Sequence, residues 1–237
     1  MTWSIIAKEP ATGRLGVIVA SKFFAVGSMV PHIRTGVGAV ASQAFVNPFY
    51  GPRGLAMMQA GSTAAEVINL LTVADEGRDI RQVHAMDKHG NVHAYTGVKC
   101  VDWCGHVVRD GFSVAGNMLA GPAVIEDTAA EFAARSELPL ARRLIAAMLA
   151  GERAGGDKRG KQSAALLIHD GEDYPLYDLR VDDHADPFAE LSRLETVARE
   201  RWLHFRRLMP RTDAPDGLLD RSELDAFITA SIESKFE

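Results

Sequence analysis

The sequence predicts an α+β fold or layered α/β/β/α packing rather than alternating βαβ units. Apolar runs typical of strands come in hairpin pairs, segments with helical periodicity are grouped between those pairs, and no internal repeat appears. Of the 237 residues, 47% are hydrophobic and 24% are charged, so the chain is able to bury a large core.

An N-terminal β-hairpin organises this pattern. Residues 4–8 form a β-rich run, the segment EPATG carries turn residues, and residues 15–20 form a second apolar run. Strand alternation places Thr2, Ser4 and Ile6 on one face, so two hydroxyls lie close to the start of the chain. Lys22, at the end of the second strand, is expected beside them.

The hairpin has two interpretations. A hydroxyl near a chain's α-amino group, with a lysine close by, is the composition of an N-terminal nucleophile site in which the amine acts as the base. Short strands with threonine and serine are also common in ordinary edge hairpins, where the hydroxyls lie on the surface.

A strand of small residues and an irregular segment form the next candidate site. Residues 23–34 are predicted to be a loop, and residues 36–44 a strand that a ligand can approach closely. Residues 45–54 contain two prolines and two glycines, which predicts an irregular pocket rim or a purely structural loop. The polar candidates for binding a substrate are Gln43, Asn47, Tyr50 and Arg53.

Two helices and a second hairpin follow. Residues 55–60 are predicted to be helical, and Ser62 or Thr63 caps a second helix through about Asp75, because Glu66 stands where a capping box requires it. The apolar stripe of the second helix is Val67, Leu70, Leu71 and Ala74. Residues 78–86 and 92–96 are predicted to pair as strands around the turn at 87–91.

Histidines and cysteines raise the question of a metal. His84 and His93 are candidate cross-strand neighbours, although half-exposed strand histidines fit the pattern as well, and His89 lies in the turn. Cys100 and Cys104, with His106 near them, supply at most part of a metal site, and we expect free thiols in a reducing cytoplasm.

Asn117 ends a predicted strand over residues 112–117. A side-chain amide at a strand end can stabilise a developing oxyanion, or it can hold the turn. Helices are predicted over residues 123–135 and from Pro139 onward. The apolar side of the later helix is Leu140, Leu144, Ala147 and Met148.

A glycine-rich, charged segment over residues 151–162 precedes predicted strands at 163–169 and 177–181. Such a loop can present backbone amides and a guanidinium to an anionic group, although it lacks the residue order of a P-loop. The acidic stretch that follows the last strand can bind a cation through oxygens, or Asp186 can cap the next helix. Its members are Asp182, Asp183, His184 and Asp186.

The C-terminal region is predicted to be helical from Pro187 to about Arg207, with a proline-containing linker over 210–217 and a last helix over 218–236. We therefore expect a main domain at 1–209 and a helical extension at 210–237. The apolar face of that extension needs to pack on the body or on another subunit, so we expect a homo-oligomer.

Charge and hydropathy restrict the partners. A net charge of −5 and a pI of about 5.9 argue against non-specific nucleic-acid binding. No apolar run is long enough to span a membrane and no signal peptide is evident, so we expect a cytoplasmic protein with no membrane partner.

Several segments together resemble the bacterial domain-of-unknown-function family 1028 (DUF1028), which is placed among the N-terminal-nucleophile (Ntn) hydrolase-like proteins. The resemblance covers roughly residues 2 to 200 and implies a four-layer αββα sandwich, with two stacked antiparallel sheets flanked by helices. The segments that carry it are SIIA at 4–7, GVIVASK at 16–22, NPFYGPRG at 47–54, GNML at 116–119, GGDKRGKQSA at 155–164 and LRVDDH at 179–184.

The resemblance also implies roles for individual residues. Thr2, freed by removal of Met1, would be the nucleophile, with Ser4 on the same face. Lys22 would lower the pKa of the amine and Asn117 would stabilise an oxyanion. In an amino-acid-like substrate, Arg159 would hold the carboxylate and Asp157 the amine.

The implied activity is hydrolysis of small amide-like C–N bonds in a small-molecule substrate, with no cofactor. Two alternatives remain open at this point. One is a non-catalytic ligand-binding or assembly protein on the same fold. The other is metal-assisted hydrolysis through Asp182, Asp183 and His184.

Overall fold

Two antiparallel sheets stack face to face in the structure, a computed structural model that describes residues 2–234. The strands are β1 (Thr2–Lys8), β2 (Leu15–Ser21), β3 (Pro31–Arg34), β4 (Gly38–Ala44), β5 (Arg81–Asp87), β6 (Val92–Thr96), β7 (Trp103–Arg109), β8 (Phe112–Leu119), β9 (Ser163–His169) and β10 (Pro175–Val181). The six-stranded sheet has the order β10-β9-β2-β1-β8-β7, and the four-stranded sheet has the order β3-β4-β5-β6.

Helices pack on both sheets. The helices among residues 2–234 are α1 (Tyr50–Gln59), α2 (Ala64–Val73), α3 (Ala123–Ala134), α4 (Leu140–Arg153), α5 (Pro187–Glu200), α6 (Trp202–Arg206) and α7 (Leu224–Glu233). Helices α1 and α2 contact the four-stranded sheet, whereas α3 and α4 contact the six-stranded sheet. The predicted α+β class with two stacked antiparallel sheets is therefore confirmed. Within residues 2–234, no helix combines the length and the apolar character needed to cross a membrane.

The predicted N-terminal hairpin is present, but it occupies the centre of a sheet. Strand β1 lies between β2 and β8, so that Thr2 pairs with Ser21 on one side and with Asn117 on the other. The side chains of Thr2 and Ser4 are 7% and 0% exposed. The alternative of an edge hairpin with surface hydroxyls is therefore wrong.

Strand alternation divides the core into an inner and an outer part. Ile6, Val17 and Ala41 belong to one apolar cluster between the sheets, whereas Val40, the neighbour of Ala41, packs under α1 and α2. The opposite face of β1 carries Trp3, whose fully buried ring lies 5.6 Å from that of Phe188. Side chains that share the inner face with Ile6 therefore point between the sheets.

Two segments predicted to be irregular contain regular structure. Residues 23–34 hold a 3-10 turn at Val26–Ser28 and the edge strand β3, whose first residue, Pro31, occupies a position where proline is tolerated. Residues 45–54 contain the start of α1, with Pro52 in its first turn. A Cβ at Gly51 would lie 2.3 Å from ring atoms of His32, so this helix requires glycine there to approach β3.

Other boundaries and faces also differ from the prediction. The sequence did not indicate β7, an edge strand with an irregular register near Gly105. The predicted strand over residues 78–86 begins with a 3-10 turn at Arg78–Ile80. In α2, Leu70 is 49% exposed and Ala74 is also exposed, whereas Ile68 is buried in their place.

The chain divides into two compact units, Met1–Leu191 and Ser192–Glu237. Within the second unit, His204 Nδ1 lies 2.8 Å from Ser231 Oγ, which joins α6 to α7. Helix α7 begins at Leu224, later than predicted, and the end of the predicted helix over 218–236 lies outside the described residues. The domain boundary expected between residues 209 and 210 lies further along the chain than the division between residues 191 and 192, and it stays a prediction. The homo-oligomer also stays a prediction.

The capping box of α2 generates a test of local stability. Thr63 Oγ1 accepts from the main-chain N–H of Glu66 at 3.3 Å, and Glu66 Oε2 accepts from the main-chain N–H of Thr63 at 2.8 Å. We expect Thr63→Ala to lower the free energy of unfolding by about 1 kcal/mol, because an N-terminal N–H loses its partner. Chemical denaturation measures this change.

The matched control is Ser62→Ala, which removes the neighbouring hydroxyl without touching the capping box. This variant should stay within about 0.5 kcal/mol of the wild-type protein. Equal losses in both variants would contradict the assignment of Thr63 as the cap.

Candidate functional site

The space between the two sheets changes character along β1. Near Lys8 the inner face carries apolar residues such as Ile6, whereas near Thr2 it carries polar residues that are no more than 7% exposed. Buried polar side chains destabilise a fold unless they are hydrogen-bonded. The polar set is Thr2, Ser4, Ser21, Gln43, Gln82, His84, Ser113 and Asn117.

Three side-chain amides and the main-chain carbonyl of Thr2 form a closed ring of hydrogen bonds. Gln43 Nε2 donates to the Thr2 carbonyl oxygen at 3.4 Å and to Gln82 Oε1 at 2.8 Å. Asn117 Nδ2 donates to the same two acceptors at 3.2 and 3.0 Å. Because Gln43 and Gln82 belong to the four-stranded sheet, this amide ring joins the two sheets at the start of β1.

Main-chain carbonyls determine which way the amides point, since a carbonyl accepts only from an N–H or O–H. Gln82 Nε2 donates to the carbonyl oxygens of Gly105 and Gly116 at 3.0 and 2.8 Å. Gln43 Nε2 donates to that of Ala115 at 3.0 Å. The remaining oxygen of Gln43, Oε1, therefore accepts from Ser4 Oγ at 2.7 Å.

His84 lies between two serines, with Nε2 2.8 Å from Ser4 Oγ and Nδ1 2.7 Å from Ser113 Oγ. Since the Ser4 hydrogen goes to Gln43, His84 Nε2 carries a hydrogen and donates to Ser4, and Nδ1 accepts from Ser113. Burial lowers the pKa of His84 to about 3, and the charge of His106 acts in the same direction. In this arrangement His84 positions Ser4 and does not take its proton.

His84 and His93, which the sequence offered as cross-strand neighbours, are not directly opposite each other. The strand register places His84 opposite Ala94, and His93 opposite Ala85. Residues on adjacent register positions face opposite sides of a sheet, so the two histidines do not converge. His84 is also fully buried, rather than half-exposed as the alternative interpretation required.

The hydroxyl of Thr2 lies at a small cavity. Thr2 Oγ1 donates to Ser21 Oγ at 3.1 Å. Both residues line a cavity of about 90 Å³, together with Gln43 and apolar side chains that include Phe23 and Val30. The cavity therefore offers a hydroxyl in mainly apolar surroundings.

Strained backbone gathers at the same end of the sandwich. Among residues 2–234, four non-glycine residues have φ between 50° and 69°, in the left-handed region: Ala25, Ala44, Asp102 and Met118. Ala44 and Met118 directly follow Gln43 and Asn117, and the Met118 N–H donates to the carbonyl oxygen of Val101, beside Asp102. Such residues cost roughly 1–3 kcal/mol each and cluster at functional sites, which supports a functional site here.

A second, larger cavity of about 280 Å³ shares Ala44 in its lining with the first. Its walls are mainly apolar, with Phe45, Ile80, Val101 and Met118 among them. Asn117 also lines this cavity. The two cavities thus flank the paired ends of β1 and β8.

The loop over residues 154–162 also reaches this end. The carboxylate of Asp157 is fully buried and accepts from the main-chain N–H groups of Lys22 at 2.9 Å and Arg159 at 2.8 Å, and from the Arg159 guanidinium at 3.3 Å. The ammonium of Lys22 is exposed and donates to the carbonyl oxygen of Lys161 at 3.4 Å. Asp157 therefore holds the loop against the end of β2.

The predicted binding residues Asn47, Tyr50 and Arg53 lie at the start of α1 and make structural contacts there. The carboxylate of Asp75 accepts from Asn47 Nδ2 at 3.0 Å and from the Tyr50 hydroxyl at 2.8 Å. Burial alone would raise the pKa of Asp75, but its hydrogen bonds outweigh burial and lower that pKa to about 2. The Arg53 guanidinium lies over the ring of Phe49 at 4.9 Å. These contacts fix the start of α1 and do not reach the Thr2 hydroxyl.

The acidic stretch after β10 is engaged in local contacts. Asp182 pairs with Arg180 at 2.9 Å, and Asp183 accepts from Gln162 at 3.1 Å. Asp186 Oδ1 accepts from the main-chain N–H of Ala189 at 3.2 Å, which is the helix cap that the sequence allowed. No group of three or more His, Cys, Asp and Glu side chains within residues 2–234 is arranged to hold a metal ion.

The two cysteines are free thiols. Cys100 Sγ donates to the carbonyl oxygen of Arg81 at 3.4 Å, and Cys104 Sγ donates to that of Cys100 at 3.6 Å. Burial, and next the neighbouring Cys104, raise the pKa of Cys100 to about 11. Little thiolate is therefore present at neutral pH.

Sequence reasoning missed Gln82, Ser21 and Ser113 as members of the polar cluster. A signal for Gln82 was present, because it shares the inner face of β5 with His84 in a strand that is otherwise mainly apolar. Ser113 faces Ile6 across the β1–β8 pairing, and its role depends on contact with the other sheet.

The sequence matches a known protein family. Residues 2–191 match the family described as "Family of unknown function (DUF1028)". The chain belongs to the DUF1028 family. The resemblance drawn from the sequence motifs is therefore confirmed at the level of the family. No curated protein matches the sequence.

One solved DUF1028 structure supports the fold directly. The protein SPO2555 from Silicibacter pomeroyi, described as a DUF1028 protein, is 34% identical, with a TM-score of 0.86 over 93% of this chain and 96% of that one. The ancestral β-subunit Anbu from Yersinia bercovieri is 11% identical, with a TM-score of 0.40 over 83% of this chain and 94% of that one.

The buried position of His84 generates a pH-dependence prediction. The unfolded ring takes up a proton near its ordinary pKa of 6.5, whereas the folded ring stays neutral down to about 3. Stability from this group is therefore complete above pH 6.5 and is lost as the pH falls through this range, by at most about 1.4 kcal/mol per pH unit. Denaturation at several pH values between about 7 and about 5 measures the slope.

We expect His84→Gln to flatten this slope, whereas His89→Gln, which replaces an exposed histidine in the β5–β6 turn, should leave it unchanged. An unchanged slope in His84→Gln would show that His84 is not the titrating group. Long-range proton–nitrogen NMR should in addition find the hydrogen on Nε2 of His84.

Proposed function

We propose that this DUF1028 protein hydrolyses small amide-like C–N bonds with Thr2 as the nucleophile. The observation that carries the proposal is the place of the Thr2 hydroxyl. It lies at the start of a central strand, in the wall of the 90 Å³ cavity, where buried polar groups and left-handed residues gather. A threonine whose own α-amino group is free can use that amine as the base.

The reaction proceeds in two steps once Met1 has been removed. Thr2 Oγ1 attacks the amide carbonyl carbon while its proton passes to the α-amine, the C–N bond breaks, and the amine product leaves with that proton. Water then hydrolyses the resulting ester and restores the hydroxyl. Ser21 orients Thr2 Oγ1, and Gln43 and Asn117 hold the Thr2 carbonyl, so all three are positioning residues.

The role of Asn117 differs from the one that the resemblance implied. Its two Nδ2 hydrogens go to Thr2 and Gln82, so the side chain would have to reorient to donate to an oxyanion. Asp157 likewise accepts several hydrogen bonds already, and its buried carboxylate is not open to a substrate amine. Lys22 as a charge near the amine, and Arg159 as the holder of a substrate carboxylate, stay predictions.

The proposal includes a finer description of the fold, namely a four-layer αββα sandwich of the N-terminal-nucleophile type. Packing of α1 and α2 on one sheet, and of α3 and α4 on the other, supports it. In such a sandwich the start of a central strand opens at the edge between the sheets, where a substrate has access.

The nucleophile assignment is tested by activity after the N-terminus has been defined. Intact mass spectrometry identifies protein that has lost Met1, and this material is assayed against a panel of acyl and aminoacyl aminomethylcoumarin amides. Thr2→Ala should reduce kcat/KM by at least about a thousandfold, because the attacking oxygen is absent. Thr2→Ser should retain measurable activity.

Thr12→Ala is the matched control, since it removes an exposed hydroxyl in the β1–β2 turn. It should leave kcat/KM unchanged. Activity that survives Thr2→Ala would sink the nucleophile assignment.

A second candidate function is binding of a ligand without chemistry. The observation that favours it is that Ser4, His84 and the Nδ2 group of Asn117 are already hydrogen-bonded to other groups within the fold. Under this alternative, protein with a free Thr2 amine would bind amides without hydrolysing them. Turnover by that material would exclude the alternative.

A further inference from the structure

The larger cavity beside Asn117 has features that neither the fold nor the nucleophile explains. Its volume of about 280 Å³ is close to the lower end of ligand pockets, which span roughly 300–1,000 Å³. Phe45, Ile80 and Val101 in its wall are 68%, 36% and 59% exposed. Apolar side chains thus line a concave surface that remains open to solvent.

Contacts with Arg81 and Ile80 restrain Phe45 in the wall of this cavity. The Arg81 guanidinium lies 5.2 Å from the centre of the Phe45 ring and donates to the Phe45 carbonyl oxygen at 2.7 Å. The main-chain N–H of Phe45 donates to the carbonyl oxygen of Ile80 at 3.2 Å. A ligand would therefore meet an aromatic surface that is already ordered, which reduces the entropy lost on binding.

One polar atom in the cavity lacks a partner. Asn117 is 1% exposed and lines the cavity, and both of its Nδ2 hydrogens are used inside the amide ring. No residue in 2–234 donates a hydrogen bond to its Oδ1. Oδ1 is not among the fully buried side-chain atoms that lack a partner within residues 2–234, so it reaches the cavity surface, where a ligand N–H can donate to it.

We infer that this cavity binds the large apolar side chain of a peptide-like amide, and that Asn117 Oδ1 accepts an N–H of that ligand. The inference deepens the proposed amide hydrolysis and rests on it for the identity of the reaction. Asn117 is the cross-strand partner of Thr2, and Ala44 lines both cavities. A side chain in the larger cavity therefore lies against Asn117, whose strand neighbour is Thr2.

Binding experiments separate the inference from the chemistry. The probes are N-acetyl-phenylalanine methylamide, N-acetyl-glycine methylamide, and the phenylalanine compound methylated on both amide nitrogens. Dissociation constants are measured by calorimetry on the wild-type protein and on Thr2→Ala, which removes turnover. We expect the phenylalanine compound to bind at least about tenfold more tightly than the glycine compound, because its ring is buried in the cavity.

The phenylalanine compound methylated on both amide nitrogens has no N–H to donate to Asn117 Oδ1. It should therefore bind at least about tenfold more weakly than its parent. Val101→Trp places a larger side chain at the cavity wall and should remove the preference for phenylalanine. Val98→Trp is the matched control, because Val98 is 85% exposed and does not line the cavity. It should leave the preference intact.

The inference is overturned if the phenylalanine and glycine compounds bind equally, if the methylated compound binds as well as its parent, or if no probe binds saturably. Selective binding to Thr2→Ala without turnover by the wild-type protein would support the inference and remove the proposed function. Turnover by the wild-type protein without a preference for the phenylalanine compound would support the proposed function and overturn the inference.

Discussion

The ring of amide hydrogen bonds between Gln43, Gln82, Asn117 and the Thr2 carbonyl is the constraint on which the rest of the site depends. Polar groups between two sheets are tolerated only when each one finds a partner. Here the main-chain carbonyls of Gly105, Gly116 and Ala115 determine the direction of every amide. Because Gln43 Oε1 accepts the Ser4 hydrogen, His84 Nε2 must donate to Ser4 and His84 Nδ1 must accept from Ser113. The fixed main-chain acceptors thus determine the hydrogen positions across both sheets.

The same constraint explains why the sandwich is polar at one end only. Toward Lys8 the inner face is filled by residues such as Ile6 and Val17, which need no partners and supply the hydrophobic driving force. Toward Thr2 the strands end, the main chain of Ala44 and Met118 turns into the left-handed region, and two cavities open. A satisfied polar network supports this strained end, where apolar packing alone would leave main-chain carbonyls without donors.

The sequence predicted much of the fold and less of the site, for physical reasons. Period-two alternation in β1 correctly placed Thr2 and Ser4 on one face, and the Thr63–Glu66 spacing identified a real capping box. The sequence did not reveal the edge strands β3 and β7, because β3 is only four residues long and β7 is partly exposed, so neither has a clear periodic signal. Gln82 escaped because its importance comes from partners on β4, β7 and β8, and contacts between distant segments leave no local pattern.

Asn117 shows how an amide's role is decided by its surroundings rather than by its position in the chain. At a strand end it has the chemistry to donate to an oxyanion, and the motif alone supports that role. Once Gln82 and the Thr2 carbonyl have taken both Nδ2 hydrogens, only its oxygen remains, and an oxygen accepts. Asn117 therefore holds the Thr2 carbonyl through Nδ2 and, in the inference drawn above, accepts a ligand's N–H through Oδ1, rather than donating to an oxyanion in the transition state.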